Sequence, residues 1–205
     1  MKLYLSSSGF GRHPEELVKL VDENKKTAII ANAVDYVSDN HRRKIVDNEL
    51  NALKNLGFKP EELDLRNYFE KSEALAKNLS EFGLFWVIGG NTFLLRRAFA
   101  QSSMDNWLIG EKNNQNLVYA GYSAGCCLLS PSLHGTEFFD DPNTISTGYK
   151  KGIIWEGLGL IDFVFVPHFR PDQNSRSRQN REITYYIKNG IKYKTFQDGE
   201  VLVIC

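Results

Sequence analysis

Cysteine is scarce in this chain: three in 205 residues, at Cys126, Cys127 and Cys205. Two are adjacent and the third is the last residue, so they make no disulfide framework, and none stands at metal-ligand spacing from another. The expected setting is a reducing cytoplasm. Long apolar runs are missing as well, which argues against a membrane-spanning helix. The opening MKLYLSSSGFGRHPEEL turns polar before a signal-peptide core could form, so no export signal is expected. Charge of one sign is also lacking. Twenty-five Lys and Arg balance twenty-five Asp and Glu, leaving no global field to steer the molecule to nucleic acid or an anionic membrane. Neither an internal repeat nor a low-complexity linker is present. What remains, 42% hydrophobic and 24% charged, suits one globular domain over 1–205 with a sizeable core.

Short apolar runs alternate with segments of helical period. KLYLSSSG and KTAIIANA are predicted buried strands, and HRRKIVDNELNALKNLG an amphipathic helix stopped by Gly57. A predicted strand ELDLRNY, a helix KSEALAKNLSEFG, a strand LFWVIGG, a helix NTFLLRRAFAQSSM and a strand NLVYAGYS continue the rhythm. Alternation of this kind predicts an α/β fold: a three-layer α/β/α sandwich on a mostly parallel sheet. The segment DDPNTISTGYKKGIIWEGLGL is an irregular excursion before the last strands. In such sheets ligands gather outside the carboxyl ends of strands, so functional residues are sought there.

Gly121-Tyr122-Ser123-Ala124-Gly125 follows the strand LVYA and fits G-x-S-x-G. In that turn the glycines let backbone segments approach, the serine hydroxyl is presented at the strand end, and the Ala124 amide can donate to a developing oxyanion. The alternative is a small-residue turn that only packs well. A second turn, Gly89-Gly90-Asn91-Thr92, follows FWVI and offers the Gly90 amide as the other oxyanion donor. Asn91 and Thr92 there could hold polar groups of a substrate. Neither G-x-G-x-x-G nor a Walker lysine is present, which disfavours nucleotide binding, and no metal or organic cofactor is expected.

A serine nucleophile requires a base, and histidine is rare: four in all. His13 and His134 stand in loops and His41 in a basic helical stretch, whereas His168 directly follows the strand run DFVFVP, where the architecture places chemistry. An acid must orient that imidazole. Asp198 precedes the last strand in QDGEVLVI; Glu200, Asp140 and Asp141 are its rivals. With Asp198 the chain order is Ser, His, Asp, unlike the Ser, Asp, His order of α/β-hydrolases. Cys126 and Cys127, about one helical turn past Ser123, are alternative nucleophiles that suit core filling better.

IGGNTF, GYSAG and VPHF, in this order and spacing, resemble the peptidase E family of serine peptidases, which includes aspartyl dipeptidases. The resemblance implies a flavodoxin-like or class I glutamine amidotransferase-like fold, with Ser123 as nucleophile, His168 as base and Asp198 at the acidic position before the last core strand. It also implies hydrolysis of short peptides, among them dipeptides with N-terminal Asp, whose side-chain carboxylate an arginine would bind. The segment HFRPDQNSRSRQNREI keeps a shortened echo of the family's Thr-Arg region, with Arg178 the nearest match and Arg170, Arg176 and Arg181 close by. The family's alanine-asparagine pair after the elbow is here Cys126-Cys127, and Ile88 stands where the dipeptidases carry a first glycine. Two other functions fit the same residues: a cyanophycinase-like hydrolase of aspartate-arginine polymer, or a non-catalytic small-ligand-binding module. The expected partner is a short peptide, with no nucleic acid or membrane, and the sequence leaves a homodimer open.

Overall fold

The computed structural model describes residues 1–171 and 178–205. Its main sheet has six strands: β1 (Lys2–Ser6), β2 (Lys26–Ile30), β3 (Lys59–Glu62), β4 (Leu84–Val87), β5 (Val118–Tyr122) and β8 (Val201–Ile204), in the order β3-β2-β4-β5-β1-β8. All neighbours are parallel except β8, which runs antiparallel to β1. The mostly parallel sheet expected from the alternation is therefore present, closed by one reversed edge strand. A separate two-stranded parallel sheet joins β6 (Val164–Val166) to β7 (Tyr193–Thr195).

Strand periodicity sends alternate side chains to opposite faces, and two cores follow. Leu3, Leu5, Ile30, Phe85, Val87 and Tyr119 face one helical layer with α3 (Ser72–Leu79), α4 (Thr92–Ser102) and α5 (Met104–Gly110). Tyr4, Ile29, Trp86, Val118 and Ala120 face the other, with α1 (Pro14–Leu20) and α2 (Asp39–Asn55). Leu94, Leu95 and Phe99 of α4 are fully buried, each contributing about 1.5–3 kcal/mol of apolar burial. The helix starts where it does because Asn91 caps it, its Oδ1 accepting from the Leu94 N–H at 2.9 Å. Gly57 at φ +87 follows the last turn of α2, its N–H donating to the Lys54 carbonyl, as the predicted stop requires. Among the described residues no helix is long and apolar enough to cross a membrane.

One strand falls elsewhere than expected. The run ELDLRNY supplies only the end of β3, which occupies KPEE; from Leu65 to Tyr68 it makes a 3-10 turn. Asp64 causes this, because its side chain accepts from the Arg66 N–H and pairs with the Arg66 guanidinium, so the backbone turns instead of extending.

Register makes the carboxyl ends of three central strands level: Val87 pairs with Gly121, and Ser6 with Tyr122. The segments after Ser6, Val87 and Tyr122 therefore emerge side by side at one rim.

Candidate active site

Ser123 stands between β5 and the short helix α6 (Ala124–Cys127) with φ 50° and ψ −116°. The flanking glycines are required by space. A Cβ on Gly121 would lie 2.5 Å from the Val87 carbonyl oxygen, and one on Gly125 2.3 Å from the same atom. The end of β4 thus presses against the elbow from both sides of the serine. Below it, the Tyr122 hydroxyl donates to Glu49 of α2 at 2.9 Å, and the Ser123 N–H donates to the Ser6 carbonyl at 3.2 Å. With its backbone so fixed, the Ser123 hydroxyl faces His168.

His168 lies two residues past β6 and Asp198 three past β7, so the β6–β7 pairing delivers them together; Phe169 N–H to Phe196 O at 2.9 Å extends it. His168 Nε2 is 3.1 Å from Ser123 Oγ, and its Nδ1 is 2.6 Å from Asp198 Oδ1. A carboxylate only accepts, so Nδ1 carries the proton and Nε2 accepts from the serine hydroxyl. The His168 and Asp198 side chains are 45% and 50% exposed. A pair so solvated is worth at most about 1 kcal/mol to stability; its effect is on orientation. His168 also has φ 56°, so two of the four non-glycine residues at positive φ among those described belong to this relay, where backbone strain tends to concentrate.

The rival acids are otherwise engaged. Glu200 accepts from the Gln197 N–H at 2.7 Å and closes the turn that carries Asp198. Asp140 accepts from the Thr92 N–H at 2.8 Å, and the Asp141 side chain from Asn143 N–H at 2.9 Å. Cys126 and Cys127 are buried, and burial pushes both thiols far above their ordinary value, leaving them un-ionised.

Two positioning residues escaped the sequence. Buried Ser7 accepts the His168 N–H at 2.8 Å and has the Phe196 carbonyl at 3.0 Å and Asp198 Oδ1 at 3.2 Å within reach of its own proton. Buried Gln179, at the start of α7 (Arg178–Lys188), accepts from the Arg170 N–H and donates to the Pro167 carbonyl, bracketing the histidine loop. The triple serine that ends β1 was the available signal for Ser7; nothing local marks Gln179.

Gly90 has φ 145°, and a Cβ there would meet the Ala33 carbonyl oxygen at 2.5 Å. Among the described residues its N–H makes no hydrogen bond, and the Ala124 N–H, first in α6, has no intrahelical partner. Asn91 has both side-chain ends occupied, as the α4 cap and as donor to the Asp141 carbonyl at 3.0 Å. Thr92 is 1% exposed, and its side chain as well as its N–H interacts with the Asp140 carboxyl. Arg170, Arg178 and Arg181 are exposed, and Arg181 lies over the Phe138 ring. Arg176 lies outside the described residues.

Beside Ser123 opens a cavity of about 260 Å³, lined by Thr92, Cys127, Thr136, Phe139, Asp140, Pro167, His168 and Glu182. Neither Arg170 nor Arg178 is among its walls. Its electrostatics are acidic: burial raises Asp140 above the ordinary carboxyl range, and burial together with Asp140 and Glu137 lifts Glu182 to about 8. Glu182 Oε1 accepts from the Tyr186 hydroxyl at 2.8 Å.

The model of peptidase family S51 matches residues 3–205. No curated protein matches the chain. Among solved structures, a protein from Listeria monocytogenes EGD-e ascribed to peptidase E superposes with a TM-score of 0.71 at 23% identity, covering 99% of this chain and 97% of that one. A peptidase from an acI-B1 Actinobacterium superposes with a TM-score of 0.67 at 18% identity, covering 99% of this chain and 82% of the other.

Proposed function

The chain belongs to peptidase family S51 and is a serine-type peptidase, and from that premise we propose that it hydrolyses short peptides through an acyl-enzyme on Ser123. The observation that carries the assignment is the unbroken contact from Asp198 through His168 to Ser123, at 2.6 and 3.1 Å. As Ser123 Oγ bonds to the substrate carbonyl carbon, its proton passes to His168 Nε2, and Asp198 steadies the imidazolium that forms. The Gly90 and Ala124 amides hold the oxyanion. Collapse breaks the C–N bond, and the leaving amine takes the proton from His168. Water then attacks the ester, giving its proton to the same nitrogen, and Ser123 is regenerated.

A cavity of about 260 Å³ falls below the range for ligands of drug size and suits a single side chain. That favours short peptides over an extended polymer. A requirement for aspartate would need a cation facing the cavity, and among its described lining residues only His168 can carry positive charge.

The test is a fluorophosphonate probe with peptide mapping, and hydrolysis by wild type beside Ser123→Ala. Labelling at Ser123, with turnover reduced by roughly a thousandfold or more in the variant, is expected. Undiminished hydrolysis by folded Ser123→Ala would reject the assignment.

A further inference from the structure

We propose that the cavity beside Ser123 receives the side chain of the residue whose carbonyl is attacked, and that it selects a cationic one, lysine or arginine. This rests on Ser123 being the nucleophile. One carboxyl oxygen on a residue that lines the cavity is buried and bonded to nothing: Glu182 Oε2, on a residue 3% exposed. Buried polar groups are nearly always paired, so Glu182 Oε2 lacks a partner that an occupant of the cavity would supply. Asp140 adds a second carboxyl, held in place by the Thr92 N–H.

Charge decides the sign of the occupant. No lysine or arginine lines the cavity among the described residues, and His168 is committed to Ser123 and Asp198. An aspartate side chain would bring a further negative charge into a cavity where burial already disfavours ionisation of Asp140 and Glu182, with Glu137 close enough to act on Glu182. An ammonium or guanidinium would instead supply a donor to Glu182 Oε2 and a countercharge to Asp140 and Glu182. Cys127, Phe139 and Pro167 also line the cavity and suit the aliphatic stem that lysine and arginine bury behind their charge. Burial raises the ionisation of Glu182 to about 8, so at neutral pH it holds a proton. An entering cation stabilises the carboxylate and expels that proton to solvent.

The experiment uses wild-type protein and aminoacyl coumarin amides with N-terminal Lys, Arg, Gln, Leu or Asp, alongside fluorophosphonate labelling of Ser123 and protection from labelling by lysinamide or aspartic diamide. Lys or Arg should exceed Asp and Leu in kcat/KM on the order of 10- to 100-fold, and lysinamide should protect. Glu182→Gln should cut the Lys-to-Leu ratio about tenfold or more; the wild-type panel and the protection assay stand even if that variant does not fold. Labelling at Ser123 with Asp, Gln or Leu preferred, or without protection by lysinamide, would overturn the cationic pocket and leave the serine peptidase in place. Absence of labelling would remove both.

Discussion

Glu182→Gln should stabilise the protein, and by an amount that grows with pH. Glu182 is buried at 3% exposure, with one oxygen on the Tyr186 hydroxyl and the other unpartnered. Burial lifts its ionisation from the ordinary 4.5 to about 8. Below pH 4.5 the glutamate is protonated whether the chain is folded or not, and the group is neutral towards stability. Between 4.5 and 8 the unfolded chain has lost the proton while the native state keeps it, so stability falls as pH rises. At about 1.4 kcal/mol per pH unit the penalty reaches roughly 5 kcal/mol by pH 8 and is constant above. Glutamine keeps an acceptor for Tyr186 and carries no charge, so it should remove most of this. At 2–4 °C per kcal/mol for a chain of this size, the variant should melt with wild type near pH 5 and roughly 10 °C or more above it at pH 8.5. Circular dichroism melts across that range measure the difference. Two melting curves that stay parallel from pH 5 to 9 would refute the claim that Glu182 is a proton-holding buried acid.

The site geometry makes further predictions. Asp198→Asn should lower kcat by about a thousand- to ten-thousandfold with little change in melting temperature, because the pair it breaks is half solvated; a change under tenfold in steady-state rate would exclude Asp198 as the orienting acid. Ser7→Ala leaves the His168 N–H without its acceptor and should cost about 1–3 kcal/mol, seen in urea denaturation, together with a lower kcat at nearly unchanged KM. Gly125→Ala drives a Cβ against the Val87 carbonyl and should destabilise by roughly 1–3 kcal/mol, measurable as a melting point several degrees lower. Arg170→Ala and Arg178→Ala, at exposed positions outside the cavity, should leave kcat/KM within about twofold for every substrate of the panel.

Much of the fold and the heart of the site were legible because they rest on local signals. Strands β1, β2, β4 and β5 are buried on both faces and so read as apolar runs, and the elbow glycines mark a close backbone approach that no other residue allows. The position of His168 after an apolar run also survives, although β6 belongs to a second sheet and not to the main one. What could not be read depends on contacts distant in the chain. ELDLRNY looks extended until Asp64 is seen to bind the Arg66 backbone. Asn91 looks available for substrate until Asp141 is found beside it, fifty residues on. The acidity of the cavity combines Asp140, after the elbow, with Glu182, on α7. No single stretch of sequence contains it, and the nearby arginines point the other way.

The end of β1 ties these pieces into one device. Its Ser6 carbonyl accepts from the Ser123 N–H, and its Ser7 hydroxyl accepts from the His168 N–H. Both partners are non-glycine residues at positive φ, a conformation costing on the order of 1–3 kcal/mol each that persists only when surroundings impose it. The Ser7 N–H donates to the Glu200 carbonyl at 3.1 Å, and the Arg12 N–H to the Gly199 carbonyl at 3.0 Å, so the same segment fixes the turn bearing Asp198. Ser123, His168 and Asp198 are thus all referred to a strand lying between β5 and β8, whose register with both is fixed by Ser6 opposite Tyr122 and Val201. Distances of 2.6 and 3.1 Å across three remote segments follow from one strand end, which is why Ser7, an uncharged residue bonded to the His168 N–H and within reach of Asp198 Oδ1, governs the geometry that joins them.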